Sequence, residues 1–314
     1  MKSSRIPRLE HYSFETIHDG ISFGYARSDG TALSNTGVVD LGGSTLLFDT
    51  SLTLRSAREI RAVSLALTGR PPSLSVNSHW HVDHILGNQV FSDRPIYATK
   101  RTIEIVSERR AELENELGRE KLGADIREFE RQRTAATSDF GRAQYDDVLR
   151  INRTLLEEAA EIKITPPSRE FESELDLPGQ RKARLLTFGS GHTESDAILF
   201  LPKERVVFAG DLVVAEHHPN LTSGDPEHWL TVLGKIAELR PERIVTGHGP
   251  LGSPSTLAVM RDYLETVLEL ARESGEPTMP PRFGEWVGPD QFAANVTYAR
   301  RRLASSRGSS NGGS

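Results

Sequence analysis

Three imidazoles and one carboxylate fall within six residues of this chain, in the stretch Asn77-Ser78-His79-Trp80-His81-Val82-Asp83-His84. That is too dense for a histidine pair on a core face, and a plain surface loop has no use for it. Neutral imidazole and carboxylate are the usual ligands of zinc and its neighbours in the transition series. Pro72 to Asn77 reads as a short β-prone segment after a Pro-Pro break. Ile85 to Phe91 reads as the first turns of a helix. The cluster therefore belongs on a strand-to-helix loop, where neighbouring side chains can converge without obeying the period of either element.

Further single candidates stand downstream, each just after a β-like run. Gly191-His192-Thr193 follows Leu185 to Phe188, Ala209-Gly210-Asp211 follows Val206 to Phe208, and Thr246-Gly247-His248-Gly249-Pro250 follows Ile244-Val245. Alone, each is ordinary turn chemistry, since Asp beside Gly is a common turn pair. As an ordered set of three after a His-x-His-x-Asp-His loop, they make residues 30 to 255 resemble the metallo-β-lactamase superfamily. The resemblance implies an α/β fold, an αββα sandwich, and seven metal ligands. His79, His81 and His192 would hold one ion, Asp83, His84 and His248 a second, and Asp211 would bridge them. Asp83 and Asp211 are then the candidate catalytic carboxylates. The implied cofactor is two divalent ions, zinc first, with iron or manganese as alternatives. Ions about 3.5–4 Å apart repel, and a bridging carboxylate and hydroxide offset this. The implied reaction is hydrolysis of an ester, lactone, thioester or amide of a small molecule by a metal-bridging hydroxide. The alternative is a mononuclear iron dioxygenase of the persulfide dioxygenase type, using His79, His81, His192 and Asp211.

Departures from named branches narrow this. True β-lactamases of the fold carry Cys or another non-carboxylate residue where Asp211 stands. Glyoxalase-II-type thioesterases have a longer helical segment than the one after Pro250. Lactonases that quench quorum signals use a Tyr near the last ligands, and none lies between Tyr145 and Tyr263. What remains resembles a broad group of dinuclear metallohydrolases with a Gly-Asp-Pro-Glu-x-Trp helix, here Gly224 to Trp229, and a closing Asn-Val-x-x-x-Arg helix, here Asn295 to Arg300. His217 and His218 belong on a loop near the site mouth, either as plain polar loop residues or as supports or substrate contacts. Trp80 reads as packing under the loop, and Thr193 and Ser195 as ties for the His192 loop.

Composition sets outer limits. The chain is 314 residues long, 37% hydrophobic and 26% charged, with a net charge of -6, which argues against a nucleic-acid partner. Without cysteine there is no thiolate ligand or nucleophile. Met1 to Glu10 is polar, and no apolar run approaches membrane-spanning length. The expectation is a cytoplasmic protein with a small-molecule substrate, no nucleic acid and no membrane.

The rest reads as one catalytic domain, 1–304, and a disordered Ser/Gly/Asn tail, 305–314. Short strands are expected at 14–17, 21–25, 37–40, 44–49 and 96–98, and a helix at 53–68 ending at Gly69. Residues 100–164 break the rhythm as a helical insertion. It reads as two long helices joined by shorter pieces around Leu122 to Gly141. It could be a solvated appendage, a wall of the metal cleft or a homodimer arm. After it come strands at 169–175, 181–188, 197–201 and 205–209. Helices follow at 227–239, capped by Asp225, at 257–271 and at 292–303.

Overall fold

The computed structural model of the protein describes residues 8–310. Twelve strands among them form two sheets. The first runs in chain order through β1 (Tyr12–His18), β2 (Ile21–Ala26), β3 (Thr36–Asp40), β4 (Thr45–Phe48), β5 (Leu74–Val76), β6 (Ile96–Thr99) and β7 (Arg169–Phe171). Its pairings are antiparallel as far as β4 and parallel from β4 to β7. The second holds β8 (Glu174–Leu177), β9 (Ala183–Thr187), β10 (Ala197–Leu201), β11 (Val206–Gly210) and β12 (Arg243–Thr246) in the order β12-β11-β10-β9-β8. Only β11 and β12 run parallel in it.

Strand alternation builds the layers. Leu46 and Phe48 of β4 meet Val206 and Phe208 of β11 in a core between the sheets. Their neighbours point the other way: Leu47 packs against Ala57 and Ile60, and Val207 and Ala209 against Trp229 and Val232. Side chains alternate faces with a period of two, so each central strand is apolar on both sides. Helix α1 (Leu54–Thr68) thus covers one sheet, and α7 (Pro226–Glu238), α8 (Pro254–Arg272) and α9 (Asp290–Ser310) cover the other. This is the expected αββα sandwich.

Local signals explain the ends of α1. Thr53 and Ser56 form a capping box, and the helix stops at Gly69 with φ 75. A third partner comes from far away in sequence. The buried Glu158 carboxylate accepts hydrogen bonds from Leu54 N at 2.8 Å and Arg55 N at 3.0 Å, placing negative charge on a helix N-terminus.

Three expectations need correction. The strand expected at 169–175 is two strands in different sheets: β7 pairs with β6, and β8 pairs with β9. An extended pattern shows that a segment is a strand, but not which partner it takes. The insertion holds four helices, α3 (Lys100–Glu108), α4 (Arg110–Glu116), α5 (Arg119–Ala135) and α6 (Asp139–Glu158). Leu122 to Ala135, expected in shorter pieces, lies within one long helix. The expected stretch does hold the break at 136–138 between the two long helices, and two further breaks fall earlier, at Arg109 and Leu117, with φ,ψ of -91,5 and -92,5. The apolar period runs through both breaks because Ile105, Leu113 and Leu117 enter one cluster with Trp80, Ile85, Ile151 and Leu155. The last helix continues to Ser310, and the rest of the expected tail, 311–314, lies outside the described residues. No helix among the described residues is long and apolar enough to cross a membrane.

Candidate metal centre

The motif loop leaves the end of β5 and enters a single helical turn, α2 (Val82–Ile85), followed by a 3-10 stretch at Leu86–Phe91. His192 lies on the loop between β9 and β10, Asp211 directly after β11, and His248 after β12. The structure brings all seven side chains into two groups, with the potential ligand atoms in each within 4.8 Å of one another. His79, His81, His192 and Asp211 form one, and Asp83, His84 and His248 the other. Asp211 faces both. Its Oδ2 lies 3.4 Å from His192 Nε2 and 3.3 Å from His248 Nε2, and its Oδ1 lies 3.2 Å from His84 Nε2. Gly247 makes room for this carboxylate, because a Cβ there would sit 1.9 Å from Asp211 Oδ1.

Most of the rings are held from behind. His79 Nδ1 meets Ser78 Oγ at 2.9 Å, and His81 Nε2 meets Ser223 Oγ at 3.1 Å. His84 Nδ1 meets Asp49 Oδ2 at 2.8 Å, and His248 Nδ1 donates to the Leu33 carbonyl at 3.1 Å. The opposite atoms turn inward. His81 Nδ1 and His192 Nε2 face each other at 2.9 Å. The buried Nε2 atoms of His79 and His84 and the Oδ1 of Asp211 lack hydrogen-bond partners. Orphaned buried polar atoms are costly. A dication at each group would satisfy them, and outward hydrogen bonds of this kind orient metal-binding histidines. The residues therefore fit two divalent ions.

The two groups differ electrostatically. Burial holds His79 well below its usual pKa, and the other imidazoles act in the same direction. Burial likewise brings His192 down to about 3. At the second group, burial also opposes the charged rings, but carboxylates outweigh it. Asp211 and Asp83 hold His248 up at about 10, and Asp83, Asp211 and Asp49 hold His84 well above the normal range.

Several supports escaped the sequence reading. Asp49 directly follows β4 with φ 60 and accepts from Ser78 N at 2.7 Å as well as meeting His84. A single Asp after a strand looks like turn chemistry, and only its apolar approach, Leu46 to Phe48, hints at burial. Asp196 ties the His192 loop, accepting from Gly191 N at 3.0 Å, Thr193 N at 3.0 Å and Thr193 Oγ1 at 2.8 Å. Thr193 and Ser195 do anchor this loop, Ser195 through its Oγ to Thr99 at 2.9 Å. Helix α7 presses on the same loop. Asp225 caps it, His228 Nδ1 donates to Ser190 O at 2.6 Å, and the Trp229 ring lies 5.4 Å from that of His192. In α9, Asn295 pins the 219–221 loop through Leu221 N and Pro219 O, and Arg300 donates to Leu270 O and Gly275 O. The Gly-Asp-Pro-Glu-x-Trp and Asn-Val-x-x-x-Arg segments thus hold loops in place.

A cleft of about 500 Å³ opens over both groups. Arg109, Leu113 and Glu116 of the insertion form one wall, and His217, Val287 and Gln291 the other. The walls touch where Gly288 N donates to Gln144 Oε1 at 3.4 Å. His218 is satisfied by Tyr263 OH and the Phe283 carbonyl. His217 donates through Nδ1 to Ala215 O at 2.9 Å, so its ring reaches the cleft with Nε2 as an acceptor. Trp80 packs beneath Arg109, 4.6 Å away, and donates to Glu194 at 2.9 Å.

Solved structures share this framework. A metallo-β-lactamase from Pontibacter korlensis matches with a TM-score of 0.59 and 17% identity over 81% of this chain and 99% of its own. The DIM-1 metallo-β-lactamase gives 0.57 and 18% over 82% and 98%. The FIM-1 enzyme of Pseudomonas aeruginosa, in a mono-zinc form, gives 0.56 and 17% over 83% and 97%. At that identity the likeness concerns the fold. A beta-lactamase-like protein 2 homolog of Caenorhabditis elegans is 32% identical over 83 residues, 26% of this chain and 27% of that protein. The metallo-beta-lactamase superfamily model matches residues 29–248, well over half of the chain, and its last matched residue is the last of the seven grouped side chains. On fold and family match together, the chain belongs to the metallo-β-lactamase superfamily, whose members are generally metal-dependent hydrolases.

Proposed function

We propose that the protein is a dinuclear metallohydrolase that cleaves an ester, lactone, thioester or amide bond of a small molecule in the cleft between α4 and Val287. The observation that carries this reading is the shared position of Asp211, whose two oxygens face both groups of candidate ligands. Bound divalent ions, zinc in the first instance, would supply a Lewis acid and bring the pKa of water near 7. The chain's own residues would do the rest. His79, His81 and His192 would hold one ion and Asp83, His84 and His248 the other, with Asp211 placed between the two groups to offset the repulsion of like charges. Ser78 and Asp49 fix the ring orientations behind them. The walls flank the substrate on two sides, and His217 offers an acceptor nitrogen at the cleft edge.

The iron dioxygenase alternative needs only the first group. It leaves Asp83, His84 and His248 converging without a task, and that favours hydrolysis. Elemental analysis of purified protein separates the two. About two zinc per chain, with turnover of generic esters, supports the dinuclear reading. One iron per chain with no hydrolysis defeats it. In the same assay, Asp211→Asn should lower metal content below two and hydrolysis by more than about a hundredfold, beyond what the loss of an outer support costs.

A further inference from the structure

A second cavity, of about 380 Å³, adjoins the cleft. Leu33, Val82, Asp83 and Glu116 line both. Beyond them the chamber is walled by Leu52 of the scaffold and by Leu117, Leu122, Val148, Ile151 and Leu155 of the insertion. Asp83, a candidate ligand of the second ion, therefore stands where the reacting centre gives way to an apolar space.

Three observations bear on what that space takes. Leu33 is 47% exposed, yet its place is fixed, because its carbonyl accepts the His248 Nδ1 hydrogen bond. The polar groups make few demands on a ligand: Lys121 pairs with Asp125, and Asn152 donates to Val148 O at 2.9 Å. At the junction, Glu116 and Asp83 disfavour an anionic arm. We infer that cleft and chamber form one substrate tract, and that the chamber takes an uncharged apolar arm of an acyl compound whose scissile bond lies over the two ligand groups. This rests on the hydrolase reading above and adds a substrate class to it. Burying an arm of this kind contributes mainly through apolar area removed from water.

The test is a chain-length series of p-nitrophenyl esters, acetate to octanoate, on the zinc-loaded protein. It is paired with ligand-observed NMR of 1-butanol to 1-octanol, which needs no turnover. Val148 and Asn152 are half-buried on the chamber side of α6, so Val148→Trp and Asn152→Trp offer two independent ways to fill it. Circular dichroism identifies which variant folds. The expected result is a rise in kcat/KM of about three- to fourfold per methylene, matched in alcohol affinity and flattened by whichever variant folds. A flat series, or a gradient that survives both fillings, overturns the tract while leaving hydrolysis standing. If no ester is turned over, the hydrolase reading loses its ester branch, separately from the chamber. The alcohols then decide the chamber: chain-length-dependent binding lost on filling supports it, and binding unaffected by filling rejects it.

Discussion

Asp49 Oδ2 lies 2.8 Å from His84 Nδ1, and both side chains are fully buried. The contact assigns Nδ1 as the donor and leaves Nε2 to face Asp83 and Asp211. Outer partners of this kind typically govern metal affinity by about 10–100-fold. Asp49→Asn keeps the shape but puts an amide where Ser78 N or His84 needs an acceptor. Zinc competition titration should show affinity at the second group falling by about that factor. Unchanged binding of both ions would deny Asp49 its positioning role.

Gly247→Ala tests the space reserved for Asp211. The added methyl would stand 1.9 Å from Oδ1, so the carboxylate must move. The variant should keep its circular dichroism spectrum yet fail to retain two metals through desalting. If it keeps both, the carboxylate has room to spare and the close fit is incidental.

Glu158→Gln tests the insertion as part of the scaffold. The change removes a charge from the α1 N-terminus and one of two acceptors for Leu54 N and Arg55 N. Losses at such sites are about 0.5–2 kcal/mol. Urea denaturation of the variant should show a lower midpoint at an unchanged slope.

Metal uptake should release protons. In the metal-free protein His248, at about 10, and His84, well above normal, are protonated at neutral pH. An ion at the second group must displace those protons, so its affinity rises with pH by about tenfold per unit for each proton lost. The first group, with His192 at about 3, has no such barrier. Calorimetry of zinc binding at pH 7 in buffers of different ionisation enthalpy should give proton release chiefly for the weaker site. The same sign governs folding without metal. Stability from His248 is full below its unfolded value near 6.5 and is lost as pH rises through about 10.

The sequence carried the seven side chains that the fold groups together because the signal lies in residue type and order: His79 to His84, then His192, Asp211 and His248, each following a strand. It also carried α1 and α7, whose caps, Thr53 and Asp225, lie next to the helices they begin. It did not carry Asp49 or Asp196, because a buried carboxylate and a turn carboxylate look alike until their donors are in place. Nor did it carry the switch between β7 and β8. Which sheet a strand joins is decided by residues far along the chain, Tyr97 to Thr99 for one and Ala183 to Leu186 for the other.

The first loop holds four of the seven candidate ligands within six residues, while the others arrive from three distant strand ends. A chain that has lost its fold still keeps His79, His81, Asp83 and His84 together, and can chelate zinc without a sandwich around it. Any affinity of the unfolded ensemble subtracts from the stabilisation that metal confers on the native one. Zinc should therefore raise the melting temperature by less than its native affinity implies. It can also be captured early in refolding, before Asp211 and His248 close around it.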